Sequence, residues 1–467
     1  MKGMTLKAMT EAVNGIYHGS SDNLENEITA VTIDSRTVCE GGLFVAIKGE
    51  RSDGHDFIGQ CFEKGAACVI SEKELPGETH SYIQVQSSLQ ALKELALLYR
   101  NNLSVKVVGI TGSVGKTSTK ETISSVLSEK YRVLKTLGNY NNEIGLPLTV
   151  FRLTPEDEIA VLEMGISDFG EMERLSKIAK PDVCVITNIG LCHLENLGTR
   201  DGILKAKTEI FKHMNPEGIV ILNGDDDKLE TISQVNGKRP LFFGISNKEG
   251  VYADDIKSLG LDGTSFTIHG VHTADKFSTF DVTVPVPGHH MVYNAMAAAL
   301  VGSVFGLSSI EIERGIRNLK TIAGRNNIIK ENGFTIIDDC YNANPVSMKA
   351  SIDVLDTAIG RKIAILGDMF ELGENEKQMH YDVGMYLGTK NIDVLITAGA
   401  LAANIAEGTR NYVNTHYNAH RCEVHEFKTR EDMLKCIGQI LNKDDNILIK
   451  ASHGMEFSKV VEAVKTI

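Results

Sequence analysis

Apolar residues in this chain come in short runs set between turn formers, and the spacing of the runs changes along its length. Over residues 6–85 they are brief: helical 6–13, extended 30–33 and 43–47, helical 57–64, then extended 67–70 and 82–85. They predict a small α/β domain. Leu89, Leu92, Ala96 and Tyr99 fall on one stripe of an amphipathic helix over 87–100, which places a boundary near residue 86. Beyond it, apolar strands at 107–110, 159–164, 183–187 and 219–222 alternate with helical patterns such as 119–128, and 133–137 is extended. Continuous apolar strands between helices predict a parallel sheet covered on both faces. Residues 263–287 turn to strand alternation without helices, an expected antiparallel edge, and 291–305 form a small-residue helix. After about residue 320 the alternation restarts at 335–337, 363–366, 394–397 and 447–449, a second doubly wound domain. The fold class is α/β in three domains, 1–86, 87–320 and 321–467, with linkers near 86 and 320.

Composition narrows the classes. The chain has 467 residues and a net charge of −13, and its Lys and Arg are not clustered, which argues against a nucleic-acid binder. Its eight cysteines show no C-x-x-C pair and read as reduced thiols of a cytoplasmic protein. The N-terminus lacks an apolar core of signal-peptide type, and the longest weakly polar run, 295–307, is short of a membrane span. No membrane insertion is expected.

The most chemically specific stretch is Val107-Val108-Gly109-Ile110-Thr111-Gly112-Ser113-Val114-Gly115-Lys116-Thr117-Ser118. A buried strand runs into a glycine loop and then a helix. Glycines 112 and 115 let backbone amides close on phosphate oxygens, Lys116 adds positive charge, and the Thr117 hydroxyl can ligate magnesium. Ile110 stands where the usual loop has its first glycine, so the match is to the tighter Thr-Gly-x-x-Gly-Lys-Thr form.

Other residues gather where strands are expected to end. Glu163 interrupts an apolar strand at its carboxyl end, where a buried carboxylate needs a cation, and His193 lies on the loop six residues after Thr187. With Thr117 they make a magnesium set near ATP, although a loop histidine by itself is more often incidental. Lys207 sits within the apolar stripe Ile203, Ile210 and Met214 of a helix over 201–214; either its stem covers apolar surface or its amine works in a cleft. Asp34-Ser35-Arg36 after a strand suits anchoring of a nucleotide diphosphate, or is a polar hairpin. The amides in Asn139-Tyr140-Asn141-Asn142 are loop formers that can also reach phosphate or substrate oxygens, and Asp338-Asp339-Cys340-Tyr341-Asn342-Ala343-Asn344-Pro345 has binding-site composition.

Taken together, these stretches resemble the Mur ligase family nearly end to end. The resemblance implies a three-domain architecture with a central P-loop ATPase-like parallel sheet and a C-terminal Rossmann-like domain. The ATP loop falls on residues 111–118, with Lys116 in the catalytic set. The asparagine-rich segment falls on 138–147, offering Asn139 to substrate and Asn142 to the nucleotide. The magnesium glutamate and histidine fall on Glu163 and His193, the modified lysine on Lys207, the arginine before the last domain on Arg325, and that domain's catalytic acid on Asp339. Ser35, Arg36, Tyr341, Asn342 and Asn344 are the implied substrate contacts. Val114, Ser118, Met291 and His453 depart from the usual family residues; the loop changes spare Lys116 and Thr117, Met291 leaves His290 and Asn294 as the further nucleotide contacts, and His453 stands where the family has an arginine for a substrate carboxylate.

The stretches at 338–345 and 366–373 are similar to the dipeptide-adding branch. That implies ATP, two magnesium ions, UDP-N-acetylmuramoyl-tripeptide and D-alanyl-D-alanine as cofactors and partners, and an amide ligation through an acyl phosphate in peptidoglycan precursor synthesis. Three alternatives stand beside it: an amino-acid-adding sibling, a folylpolyglutamate synthetase relative, and a phosphate-loop switch that binds nucleotide without ligation. At Lys207, burial and nearby magnesium favour a neutral amine, and addition of carbon dioxide would give a carbamate with oxygens for metal.

Overall fold

A computed structural model describes residues 1–467 apart from Arg51, Ala274 and Asp275. Among the described residues the strands form sheets of five, nine and six strands. The chain divides into two compact units, residues 1–111 with 131–184 and 208–219, and residues 112–130 with 185–207 and 220–467.

In the first unit, the five-stranded sheet runs in the order Ile16–His18, Tyr82–Gln84, Cys68–Ser71, Leu43–Val45, Val31–Thr32. All its neighbours are parallel except the first pair. Helix Ser88–Asn101 follows, N-capped by Ser87; it buries Leu92, Ala96 and Tyr99 of the predicted stripe and also Leu95, while Leu89 is half-buried. Strand Lys106–Thr111 lies parallel to Ile159–Glu163, with Ile110 opposite Glu163, and that strand in turn lies parallel to Val133–Lys135. Every residue of Ile159–Glu163 is buried. This is the two-sided covering that a continuous apolar strand requires.

In the second unit, helix Lys116–Leu127 begins three residues earlier than the sequence pattern predicts, because Gly115 at φ 83° turns the chain directly from loop to helix. It packs on Ser309–Arg317 with main chain against main chain: a Cβ on Gly315 would lie 2.5 Å from Val126 Cα. The small-residue helix is His290–Val304, buried along most of its length. Strands at 220–223 and Leu241–Gly244 and Val251–Ser258 pair in parallel, and the expected antiparallel edge is the pair Thr264–Thr273 and Lys276–Val284.

The six-stranded sheet, also in the second unit, has the order Asn327–Glu331, Phe334–Asp338, Asn446–Lys450, Lys362–Gly367, Val394–Ala398, Glu423–Phe427. It is parallel apart from its first hairpin. Alternate residues of each strand enter different cores: Ile363, Ile365, Ile447 and Ile449 one, and Ala364, Leu366 and Leu448 the other.

The helix predicted over 201–214 breaks. Regular helix ends at Thr208, and residues 209–211 form a 3-10 turn. Ile203, Lys207, Ile210 and Met214 are buried nonetheless. The stripe was correctly placed and its last turn is tighter.

Candidate active site

The phosphate loop leaves strand Lys106–Thr111 at Gly112, whose φ of 149° and surroundings admit no side chain: a Cβ there would sit 1.9 Å from Thr187 Oγ1. Helix Lys116–Leu127 has no side-chain cap at its N-terminal glycine. The amides of its first turn have no acceptor within the helix, the arrangement that takes an anion. Lys116 Nζ donates to the carbonyls of Gly112 (2.9 Å) and Ser113 (3.4 Å), so the loop holds its own lysine inside the cradle. Ser113 and Val114 face the other way. Their amides donate to Asn188 O and Oδ1, and Thr187 Oγ1 donates to Val114 O at 2.6 Å. Thr111 is fully buried, and among the described residues its hydroxyl has no hydrogen-bond partner. Thr117 is buried in the helix's first turn and Ser118 lines a shallow pocket with Met291, Arg325 and Asn326.

Lys207 is 1% exposed. Burial first, and then the nearby Lys116 ammonium, pull its amine down to about 7, while Cys192 acts in the opposite sense. His193 adopts a left-handed φ of 52° at the start of helix Leu194–Leu197, and its Nδ1 lies 3.0 Å from Glu371 Oε2. His290 is held below the ordinary imidazole range, chiefly by burial, and accepts from Asn326 Nδ2 at 3.0 Å. Asn294 accepts from Thr119 Oγ1 and donates to Met291 Sδ, so the departure at 291 has become a partner of Asn294.

The last sheet brings another group together. Asp339 Oδ2 accepts from Lys450 Nζ (2.5 Å) and Ser351 Oγ (2.6 Å), and Oδ1 from the Asn326 amide. The Arg325 guanidinium lies 4.0 Å from the centre of the Tyr341 ring, and His453 leans on the same ring at 5.4 Å. Asn344 caps helix Pro345–Asp356 in a reciprocal pair with Ser347, and the Asn342 side chain accepts from the Ala343 amide. These two amides therefore shape the loop locally.

Within the first unit, Glu163 is 2% exposed and its Oε1 accepts from Asn141 Nδ2 at 2.9 Å. Asn141 is the partner that sequence reasoning passed over; its only signal was membership of a run of asparagines. Asn142 Oδ1 accepts from the amides of Ile144 and Gly145 and so starts helix Gly145–Val150, while the Asn139 carbonyl accepts from the Asn141 amide. Arg36 is chelated by Asp34, whose carboxyl it holds down to about 2, and the Ser35 carbonyl accepts from Lys64 Nζ. The Arg36 side chain is 86% exposed, presented rather than buried.

The uncapped helix start, the Gly112 cradle and the enclosed Lys116 fit a nucleotide triphosphate. Among the described residues no three His, Cys, Asp or Glu side chains form a ready metal cage. Taken singly, the buried Glu163 carboxylate and the Thr117 hydroxyl are each oxygen donors of the kind magnesium takes alongside substrate phosphates.

Comparison with known proteins follows the same layout. The family model "Mur ligase middle domain" matches residues 110–302, "Mur ligase, glutamate ligase domain" matches 324–453, and "Mur ligase family, catalytic domain" matches 27–100. The UDP-N-acetylmuramoyl-tripeptide--D-alanyl-D-alanine ligase of Bacillus subtilis is 40% identical over 98% of this chain and 97% of its own. A crystal structure of MurF from Acinetobacter baumannii superposes with a TM-score of 0.88 at 31% identity, covering 99% of each chain. MurF ligase from Thermotoga maritima, solved in complex with ADP, gives 0.80 at 33% identity, covering 94% of this chain and 97% of that one. No helix among the described residues is long and apolar enough to cross a membrane.

Proposed function

Because the chain belongs to the Mur ligase family, we propose that it is the ATP-dependent ligase that joins D-alanyl-D-alanine to UDP-N-acetylmuramoyl-tripeptide, forming an amide bond in the synthesis of peptidoglycan precursors. The observation that carries this reading is a complete phosphate cradle, residues 111–118, inside a chain similar from end to end to dipeptide-adding ligases.

A carboxylate does not condense with an amine in water unless its oxygen becomes a leaving group. In the proposed sequence the terminal carboxylate of the tripeptide attacks the γ-phosphate of ATP, releasing ADP and giving an acyl phosphate; the dipeptide amine then displaces phosphate. Lys116 and the first-turn amides of Lys116–Leu127 stabilise charge on the phosphoryl oxygens. Thr117, Glu163, His193 and a carbamylated Lys207 would hold magnesium, which when bound neutralises charge on the transferring group. The neutral amine of Lys207 adds carbon dioxide and loses a proton, which sets an anion beside Lys116.

The substrate roles follow the domains read from the sequence. Ser35 and Arg36 in 1–86 take the UDP-linked substrate, Arg325, His290, Asn294 and Asn142 the nucleotide, and Tyr341, with the loop that Asn342 and Asn344 shape, the incoming dipeptide. Asn139 contributes to the substrate side. Asp339 fixes Lys450 and the Asn326 amide, and so the start of the dipeptide-binding segment.

Phosphate release measured with each substrate omitted in turn tests the reading. Turnover should require both the UDP-tripeptide and D-alanyl-D-alanine. Hydrolysis that ignores the dipeptide, or turnover with a single amino acid in its place, would replace this reading by a nucleotide switch or an amino-acid-adding ligase.

A further inference from the structure

Three consecutive carboxylates, Asp225, Asp226 and Asp227, follow strand Ile219–Asn223 and have no part in the site described above. Each holds a different element. Asp225 accepts from the amides of Ile245, Ser246 and Asn247 and from the Tyr293 hydroxyl. Asp227 pairs with Arg200. Asp226, 9% exposed, accepts from the amides of Lys228 and Leu229 at one oxygen and from the Ile189 amide, at 2.7 Å, at the other.

Ile189 is the centre of the segment that grips the phosphate loop. On one side of it, Asn188 takes the amides of Ser113 and Val114 and donates to Val114 O. On the other side, the Gly190 amide donates to Ser113 Oγ at 2.9 Å. The two peptide groups that flank Ile189 are each held: the Asn188–Ile189 group at its N–H by Asp226, and the Ile189–Gly190 group at its C=O by Arg200 Nε at 2.9 Å. Asn223 adds a bond to the Thr187 carbonyl. Turning the first of these groups would move Asn188 and turning the second would move Gly190, and with them their partners at Ser113 and Val114.

We infer that Asp226 is a positioning residue for nucleotide binding: it pre-sets the phosphate loop by clamping the Asn188–Ile189 peptide at its N–H, and Arg200 holds the next peptide at its carbonyl. The inference rests on the reading of residues 111–118 as the ATP loop.

The test compares ADP binding by calorimetry and the KM values for ATP, UDP-tripeptide and D-alanyl-D-alanine in the full-length protein and in Asp226→Ala, Asp226→Asn and Arg200→Gln. Losing one acceptor for a buried amide should weaken ADP binding and raise KM for ATP about tenfold in Asp226→Ala. The other two KM values should stay within about twofold, a split that general destabilisation would not produce. Asp226→Asn keeps an acceptor for the helix amides but turns an amide group toward the Ile189 N–H, so it should fall between. Should Asp226→Ala fail to fold by circular dichroism, Asp226→Asn and the surface variant Arg200→Gln decide. ADP affinity within twofold of wild type in the folded variants overturns the inference, whereas wild-type protein that binds no ADP overturns the ATP-loop reading instead.

Discussion

Replacing Lys207 by methionine should stabilise the protein, and the gain should shrink as the pH rises. Methionine fills similar volume without an amine, so the substitution isolates the cost of burying one. The amine has an ordinary value of 10.5 and is pulled down to about 7 in the fold, first by burial and then by Lys116. Between those values the unfolded chain binds a proton that the native chain does not, so wild-type stability rises with pH across that window and is flat outside it. At about 1.36 kcal/mol per unit, the wild type forgoes about 4 kcal/mol at pH 7 and about 2 kcal/mol at pH 9. The chain has no tryptophan, so urea unfolding would be followed by far-ultraviolet circular dichroism in buffers stripped of carbon dioxide. Lys207→Met should exceed wild type by those amounts at the two pH values, and added bicarbonate should stabilise wild type alone, because only its neutral amine can take up carbon dioxide. A difference between the proteins that does not change from pH 7 to pH 9 would refute the argument, since it would mean that Lys207 titrates alike in both states.

Gly112→Ala should lower ADP affinity by more than about tenfold, because the added Cβ would lie 1.9 Å from Thr187 Oγ1 and must push the cradle open; calorimetry reads it directly. Lys450→Met should cost about 3–5 kcal/mol of stability by leaving Asp339 buried without its cation, measured as a drop in the urea midpoint. Arg36→Ala, at an exposed position, should leave the urea midpoint unchanged. The same variant should raise the KM for UDP-tripeptide about tenfold or more, the effect of one lost charge-assisted bond in steady-state assays.

Much of the fold is legible in the sequence where burial on both faces forces continuous apolar runs. The strands Ile159–Glu163 and Val183–Ile186 lie inside the predicted 159–164 and 183–187 for that reason, and Asn446–Lys450 extends the predicted 447–449 by one residue at each end. Glu423–Phe427 was harder to read because it ends its sheet, and its half-exposed alternation of charge and apolar residues is a weak signal. Ile16–His18 is only three residues long. Lys207 was legible because a lysine on an apolar stripe is chemically odd, but the change to a 3-10 turn after Thr208 preserves burial and leaves no mark in the pattern. The clamp at Asp226 could not be read from its neighbourhood: its partner is the main-chain amide of Ile189, and an amide has no residue-type signature. Asn142 and Asn344 show the converse, since each shapes a local turn from a motif that also suits ligand contact.

The meeting of helices Lys116–Leu127 and Ser309–Arg317 at Gly315 has a mechanical consequence. Where side chains separate two helices, rotamer changes can absorb a small displacement; at 2.5 Å between a would-be Cβ and Val126 Cα there is no such cushion. The two helices form a stiff lever: a pull on the phosphate end of the first is passed undamped to the second, which leads into the segment bearing Arg325. Adding a methyl group at Gly315 would loosen that coupling while leaving the phosphate cradle chemically intact.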